Sequence, residues 1–177
     1  MVRGPRAFKY LTIPVNQELL FFISIYSNCM VRNMRMCFAS TSTKFQCIRC
    51  AKCCSFDVSL TNEEIQNFGE NVDIKWRTTK KVVKDDAPVC CFLDGNICMV
   101  YEKRPKICRV YPFFAICEED LIALKVKIPK GAVRIKYEGS TYFITYDDQC
   151  PGLGSGTTPN WKEIVALSYL YTNECTC

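Results

Sequence analysis

The chain has 177 residues, of which 49% are hydrophobic and 23% are charged. These fractions are typical of a globular protein, so they exclude a wholly disordered chain, and the length suits one domain with an ordinary hydrophobic core. The formal net charge is +5, but the basic residues are dispersed along the chain, and we therefore expect no nucleic-acid partner. The chain contains no histidine, which excludes nucleophilic catalysis that depends on a histidine base.

The N-terminal part contains an apolar run at 19–26 behind several basic residues, which superficially imitates a signal peptide. The run is much shorter than the ~20 apolar residues that a membrane span requires. Glu18 adjoins the run, and no clear cleavage site follows it. We therefore expect a peripheral strand or helix and no membrane contact. Alternatively, translation begins at Met30, Met34 or Met36.

The segment at 59–69 predicts a short helix. Thr61 suits the N-cap, Glu64 occupies the capping-box position, and Gly69 offers a left-handed end. The residues from there to Lys84 alternate weakly between apolar and polar side chains, which indicates an edge strand.

A second helix and a meander are expected further along the chain. Pro105 fits the first turn of the helix, and Pro112 would end it. Alternation of apolar and polar residues at 124–128, 133–137 and 141–146 predicts three strands of an antiparallel meander.

A final helix is predicted after a turn-rich loop that follows Cys150. Asn160 is its expected N-cap, with Glu163 at the third helical position. We read the glycines of this loop as a turn that brings Cys150 toward other cysteines, because the loop lacks the Lys-Ser/Thr ending of a phosphate-binding loop. Together these elements predict an α+β fold. The expected organisation is an N-terminal extension at 1–44 and a small cysteine-cluster domain of short helices and an antiparallel meander at 45–177.

Fourteen cysteines are the unusual feature of the composition. Cys47, Cys50 and Cys53 follow one another with two residues between them, a spacing that metal sites use more often than disulfides do. The alternatives to metal ligands are cysteines buried as small hydrophobic residues and cysteines paired in disulfides. Eight cysteines form two groups, namely Cys47, Cys50, Cys53 and Cys54, and then Cys90, Cys91, Cys98 and Cys108. Five others lack a motif and are expected to be ordinary thiols, although the last two also form a C-x-C pair: Cys29, Cys37, Cys117, Cys175 and Cys177.

The first group has the spacing of a ferredoxin-type loop, in which C-x2-C-x2-C is completed by a distant cysteine followed by proline. Here Cys47, Cys50 and Cys53 would be completed by Cys150, which precedes Pro151. Such a site of four thiolates would carry a net charge of roughly −2 with Zn²⁺ or an oxidised [4Fe-4S] core.

Cys54 indicates a second site. Neighbouring residues in an extended or turning chain point in different directions, so we expect Cys53 and Cys54 to serve different metals. Cys54 would then join Cys90, Cys98 and Cys108.

Arg104 and Arg109 flank Cys108 and are candidate cofactor-binding residues. Guanidinium groups near thiolates stabilise their charge. The alternative is a surface role with an ion pair to Glu102 or Asp94. Tyr111 is a third candidate, and we expect it and the neighbouring Phe113 to act mainly as core aromatics that shield the site from water.

Three motifs together resemble the YkgJ-like, or CxxCxxCC, cysteine-cluster proteins, a group associated with zinc or iron chelation. They are "CIRCAKCC", "CCFLDGNICMVYEKRPKICRVYPF" and "CPGLG", and the resemblance extends from about Phe45 to the last helix. Cys91 stands where the family often has proline, and it is an alternative to Cys90 as a ligand. The resemblance places the family's cysteines at Cys47, Cys50, Cys53, Cys54, Cys90, Cys98, Cys108 and Cys150.

The resemblance implies metal binding. Our preferred interpretation is a cytoplasmic protein with [4Fe-4S] clusters that carries electrons, or serves as a component of an iron-sulfur oxidoreductase, with a protein redox partner. Two closed zinc-thiolate sites would instead make a structural interaction module. Flagellin lysine N-methylases contain a similar cysteine cluster, so a distantly similar metal-dependent enzyme is a third interpretation, although the chain is too short to match one throughout. A disulfide-rich protein is the remaining alternative.

Overall fold

The computed structural model describes residues 36–174, without the side chains of 172–174. The chain divides into two units, Met1–Met34 and Arg35–Cys177, and all of the described residues lie in the second. The predictions for the N-terminal apolar run and for Cys29, Cys175 and Cys177 lie outside the described residues. Among those described, no helix is both long and apolar enough to cross a membrane.

The fold is α+β, as the sequence predicts. Four α-helices occur among the described residues, at Asn62–Phe68 (α1), Lys106–Val110 (α2), Glu118–Ala123 (α3) and Trp161–Glu174 (α4). The strands in the same range are Cys37–Phe38 (β1), Val72–Asp73 (β2), Thr78–Thr79 (β3), Lys81–Lys84 (β4), Ala87–Cys90 (β5), Leu93–Asp94 (β6), Ile97–Cys98 (β7), Phe113–Cys117 (β8), Arg134–Tyr137 (β9) and Ser140–Tyr146 (β10). Short 3-10 helices lie at Lys52–Ser55, Gly69–Asn71 and Tyr101–Lys103.

The main sheet is antiparallel and is built around β10. One edge of β10 pairs with β8, with Ile144 opposite Ala115. The other edge pairs with β9 along its first half and with β1 along its second half. The remaining strands form three separate antiparallel pairs, β2 with β3, β4 with β5 and β6 with β7.

The turn between β9 and β10 explains why the predicted hairpin forms. Its two residues, Glu138 and Gly139, both have positive φ, 46° and 80°. Two successive left-handed residues give the turn a twist that matches the flanking strands. Two strands of the predicted meander are thereby confirmed.

The third predicted strand of the meander, at 124–128, is wrong. The chain there follows α3, whose C-cap is Leu124, and Lys125 has a positive φ of 55° that is incompatible with a strand. The third strand paired in this part of the sheet is β8, which precedes α3. Its residues are apolar on both faces and therefore lack the alternation that identifies a half-buried strand.

The core lies between the main sheet and the helices α2 and α4. Phe113 is 1% exposed and stands at the centre of this cluster, in edge-to-face contact with Phe45 and Trp161 at centroid distances of 5.4 and 5.2 Å. A second, smaller cluster of Val58, Leu60 and Val72 packs beneath α1.

The capping predictions hold for both of the helices concerned. The Thr61 side chain accepts from the N–H of Glu64, and the Glu64 carboxylate accepts from the N–H of Thr61, which completes the capping box of α1. At α4 the Asn160 side chain accepts from the N–H of Glu163 at 3.4 Å. Pro105 is the N-cap of α2 and therefore stands one residue before the expected first turn.

Candidate metal centre

One cavity gathers all eight cysteines that the sequence analysis proposed as metal ligands. They come from four separated parts of the chain: the loop at 47–54, the end of β5, the segment from β7 to α2, and the turn that follows β10. The lining cysteines are Cys47, Cys50, Cys53, Cys54, Cys90, Cys98, Cys108 and Cys150. Residues more than 100 positions apart in sequence therefore contribute sulfur to one space.

The loop at 47–54 is shaped by two left-handed residues that are not glycine. Arg49 and Ala51 have φ of 57° and 62° and flank Cys50 on both sides. A non-glycine residue in the left-handed backbone conformation costs about 1–2 kcal/mol, and such strain persists only where surrounding contacts require it. The chain then enters the 3-10 helix Lys52–Ser55, so the three cysteines of C-x2-C-x2-C do not lie on one regular turn.

The side chains of Cys53 and Cys54 are hydrogen-bonded to each other. Both cysteines lie in the 3-10 helix Lys52–Ser55. The hydrogen bond lowers the pKa of Cys53 to about 7 and, together with burial, raises the pKa of Cys54. Cys53 is consequently the more readily ionised thiol of the pair.

The thiol of Cys90 points into the cavity and that of Cys91 does not. Cys90 is buried and donates to the hydroxyl of Thr79, another lining residue, at 3.6 Å. Cys91 donates to the carbonyl of Asn71 at 3.7 Å and is absent from the cavity wall. The geometry therefore favours Cys90 over Cys91 as a ligand.

The helix that carries Cys108 is held by a buried carboxylate. Glu64, 6% exposed, accepts a hydrogen bond from the N–H of Lys106 at 2.6 Å and another from the hydroxyl of Tyr171 at 2.7 Å. The Tyr171 hydroxyl also accepts from the N–H of Ile107 at 3.1 Å. Because α2 has only five residues, these contacts, more than its own hydrogen bonds, fix the position of Cys108. Burial next to other cysteine sulfurs raises the pKa of the Cys108 thiol.

Cys150 reaches the cavity through a close backbone contact. The N–H of Gln46 donates to the carbonyl of Gly152 at 3.0 Å, and the amine of Lys52 donates to the carbonyl of Gln149 at 3.3 Å. A Cβ at position 152 would lie 2.4 Å from the carbonyl oxygen of Gln46, so only glycine permits this approach. The glycine-rich loop thus acts as the turn that the sequence analysis expected.

Arg104 and Arg109 both line the cavity, and within residues 36–174 neither forms an ion pair with a carboxylate. Arg104 donates to the carbonyls of Tyr101 and Cys108 at 2.7 and 3.4 Å. Arg109 donates to the carbonyl of Glu102, at 3.4 Å, and not to its carboxylate. The charge of Arg104 acts on the thiols of Cys98 and Cys108, whose pKa it lowers against the larger effect of burial.

The sequence did not predict two further residues of the site, Arg49 and Tyr101. Arg49 and Arg104 both stack on the ring of Tyr101, at 4.2 and 4.0 Å from its centroid. The hydroxyl of Tyr101 is hydrogen-bonded to Cys47, and this contact raises the pKa of Tyr101. The signal available in the sequence was an arginine inside the cysteine motif, but its partner lies 52 positions away and cannot be identified from spacing.

Tyr111 lies in the cavity wall. It donates to the carboxylate of Asp147 at 2.7 Å, and its ring contacts Phe56 and Phe114 at centroid distances of 5.6 and 6.4 Å. Burial, followed by the bond to Asp147, raises the pKa of Tyr111. That Tyr111 shields the site from water stays a prediction.

The thiols outside the cavity have other partners. Cys117 donates to the Glu119 carboxylate, and Cys37 donates to Asp148 at 3.9 Å. All of the cysteines at 36–174 are free thiols, and no disulfide occurs there.

The chemistry of the cavity wall fits a thiophilic metal group. Thiolate ligands select zinc and iron-sulfur clusters, whereas carboxylates suit harder ions. Of the described residues that line the cavity, eight are cysteines, three are arginines and none is Asp or Glu. Nevertheless, no three Cys, Asp or Glu side chains within 36–174 are already arranged to hold a metal ion, so binding would require the thiols to reorient.

One of three comparisons with known proteins found a match, and it agrees with a metal-binding cavity. No curated protein and no solved structure is significantly similar to the chain. A family model, CxxCxxCC, described as "Putative zinc- or iron-chelating domain", matches residues 46–151. Because that range is more than half of the chain and contains all eight cavity cysteines, the protein belongs to the CxxCxxCC family of zinc- or iron-chelating domains.

Proposed function

We propose that the protein binds iron-sulfur clusters, of the [4Fe-4S] type, through the cavity cysteines and acts as an electron-transfer protein or a component of a redox enzyme. The observation that carries the proposal is the composition of the cavity wall, in which eight sulfurs accompany three guanidinium groups and, among the described residues, no carboxylate. When bound, a cluster would supply one-electron redox chemistry.

The charge of the wall supports an iron-sulfur group more than zinc. Thiolate-ligated clusters are anionic, and reduction adds another negative charge. Arg49, Arg104 and Arg109 supply positive charge and N–H donors at the wall, where they would stabilise the reduced form. A zinc site of four thiolates has the same net charge of roughly −2 as the oxidised cluster, but it gains no further charge, because zinc has no redox chemistry.

The residues that line the cavity would also determine how much solvent reaches a bound cluster. Aromatic side chains of Phe45, Phe92 and Tyr111 line the cavity, while Cys47 and Cys50 are exposed. Burial and hydrogen bonds to sulfur both tune cluster potential. An exposed edge formed by Cys47 and Cys50 would give a protein redox partner its shortest path to the cluster. Free thiols of this kind persist in the cytoplasm, which is the proposed location.

The experiment is anaerobic purification of the full chain, followed by elemental analysis, acid-labile sulfide measurement and visible spectroscopy. The proposal expects brown protein with iron and sulfide in similar amounts. Colourless protein with stoichiometric zinc would reject it in favour of a structural zinc-thiolate module. Cys108→Ser should lose iron, whereas the control Cys117→Ser, which alters a thiol outside the cavity, should retain it.

A further inference from the structure

The three arginines of the cavity wall are gathered around one short segment, the 3-10 helix Tyr101–Lys103 and the residue that follows it. The guanidinium carbons of Arg49 and Arg104 lie 4.2 and 4.0 Å from the centroid of the Tyr101 ring. Arg109 donates from its Nε to the carbonyl of Arg104 at 3.1 Å. The three guanidinium groups are therefore neighbours, although Arg49 comes from a different part of the chain than the other two.

None of these arginines forms an ion pair with a carboxylate of the described residues. Arg104 and Arg109 instead donate two hydrogen bonds each to backbone carbonyls, whereas a guanidinium group has five N–H donors. Residues 1–35 are a poor source of a partner, because they contain one acidic residue, Glu18, and five basic ones. Positive charge and N–H donors are thus available here to an external anion.

The arginines are held in place and yet remain accessible. Arg49 and Arg109 are exposed, and Arg104 is partly buried. Contacts with the Tyr101 ring and with backbone carbonyls restrict these side chains, so less conformational entropy is lost when an anion binds. A planar guanidinium group binds a carboxylate through paired N–H donors. The arrangement therefore suits the carboxylates of Asp and Glu side chains.

The surface beside the arginines favours a protein over a nucleic acid. Ile48 precedes Arg49, lines the same cavity and is 57% exposed. Protein interfaces are enriched in arginine and tyrosine and depleted of lysine, and their centres are apolar. Nucleic acids are bound by clusters of Lys and Arg along the phosphates, and no lysine lines this cavity among the described residues. We use the name arginine face for Ile48, Arg49, Tyr101, Arg104 and Arg109.

The arginine face adjoins the exposed end of the candidate metal centre. Ile48 and Arg49 are the two residues between Cys47 and Cys50, and both of these cysteines are exposed. A protein bound to the arginine face would therefore lie next to a cluster held by these cysteines. A thiolate-ligated cluster is anionic and would by itself repel an acidic partner. The guanidinium groups supply the positive charge that makes the approach of such a partner favourable.

We propose that the arginine face is the docking surface for an acidic electron-transfer protein, whose carboxylates bind Arg49 and Arg109 and whose apolar contact is Ile48. The inference rests on the proposed function and deepens it, because it assigns the chemistry of the redox partner.

The test measures binding of the full, metal-loaded chain to a plant-type ferredoxin, an acidic electron-transfer protein, by fluorescence anisotropy. The matched probe is the same ferredoxin with its surface carboxylates converted to amides, checked by its visible spectrum to be still folded. The proposal expects saturable binding of the acidic probe that weakens as salt is added, because salt screens exposed charges. It expects the amidated probe to bind several-fold more weakly. Equal binding of the two probes, or no binding of the acidic probe at low salt, would overturn it.

Variants assign the binding to particular residues. Arg49→Gln and Arg109→Gln should each weaken binding several-fold and make it less dependent on salt. Arg134→Gln removes the same charge outside the cavity and should have a much smaller effect. Ile48→Ser should weaken binding without changing its salt dependence, with Ile122→Ser, 67% exposed on α3, as its control. Equal effects of Arg49→Gln and Arg134→Gln would show that only net charge matters and would overturn the assignment.

Two further outcomes are distinguished with the same samples. A short single-stranded oligonucleotide that displaces ferredoxin at an equal or lower concentration would overturn the proposal in favour of a nucleic-acid surface. Iron and sulfide analysis reads the proposed function separately. Zinc in a protein that binds ferredoxin in a salt-dependent way would reject electron transfer and retain the docking surface. An iron-sulfur protein without such binding would retain the cluster and reject the docking surface.

Discussion

The N–H of Gln46 donates a hydrogen bond to the carbonyl of Gly152 at 3.0 Å, and this contact joins the first cysteine of the CxxCxxCC motif to the turn that carries Cys150. The two segments are more than 100 residues apart in sequence. This backbone contact therefore brings the segments that carry Cys47 and Cys150 together.

Replacement of Gly152 by alanine should separate these segments. The new Cβ would lie 2.4 Å from the Gln46 carbonyl oxygen and 2.9 Å from the Phe45 ring, and a backbone oxygen cannot rotate away. We expect a loss of about 1–3 kcal/mol in the free energy of unfolding and reduced metal content. Urea unfolding and elemental analysis measure both effects.

Gly131→Ala is the matched control for this change. Gly131 has a φ of 85° and open space where its Cβ would be, so alanine introduces backbone strain without a clash. It should lower stability by about 1 kcal/mol and leave metal content unaltered. Equal metal loss in the two variants would show that the Gly152 contact has no special role.

Cys50→Ser and Cys53→Ser should each lower metal content and melting temperature. A ligand that binds only the folded state stabilises it by about 2.7 kcal/mol at a concentration a hundredfold above its Kd. The difference in melting temperature between wild type and variants should disappear after a chelator has removed the bound metal. Cys117→Ser, which alters a thiol bonded to Glu119, serves as the control. Full metal content in both cavity variants would refute the ligand assignment.

Glu64→Gln should destabilise the protein by about 1–3 kcal/mol, because the buried carboxylate accepts hydrogen bonds from Thr61, Lys106 and Tyr171 that an amide cannot all replace. The same change at Glu63, which forms an exposed ion pair with Lys106 at 2.7 Å, should have a much smaller effect. Thermal unfolding of the two variants makes the comparison. Similar losses would mean that the buried network does not anchor α2.

Tyr171 should make stability depend on pH in the alkaline range. Burial, followed by the hydrogen bond to Glu64, raises the pKa of Tyr171 above its ordinary value of 10.0. The folded state therefore keeps a proton that the unfolded state releases, so this contribution is present below pH 10 and is lost as the pH rises further. Urea unfolding across this range should show a shallower decline for Tyr171→Phe than for wild type. Parallel curves would contradict the prediction.

Arg104→Gln should lower the reduction potential of the bound cluster. Arg104 lies beside Cys98 and Cys108, and its positive charge favours the more negative, reduced state. We expect a decrease on the order of tens of millivolts, since about 59 mV corresponds to a tenfold change in a one-electron equilibrium constant. Spectroscopic redox titration measures it, with Arg134→Gln as control. A potential that rises, or equal shifts in both variants, would argue against a charge effect at the cluster.

Local signals in the sequence predicted those parts of the structure that depend on local chemistry. The capping box of Thr61 and Glu64 and the turn at Glu138 and Gly139 are formed by near neighbours. The cysteine motifs and the family resemblance pointed to the eight cysteines that line the cavity, with Cys91 left as an alternative to Cys90. The strand β8 was not recognised because its two faces are both apolar, and α3 is too short to show a helical period.

Two features of the site could not be predicted for a different reason. They are the left-handed conformation of Ala51, a residue type that seldom adopts it, and the meeting of Arg49 with Tyr101 across 52 positions. Neither feature has a signature in residue spacing. Tertiary contacts decide both.

The most direct test of the central claim, that cysteines from separate segments share inorganic centres, is X-ray absorption spectroscopy at the edge of the bound metal in anaerobically purified protein. The account predicts a first shell dominated by sulfur at about 2.3 Å, for iron or for zinc. A shell dominated by oxygen or nitrogen, or protein that contains no metal at all, would contradict it.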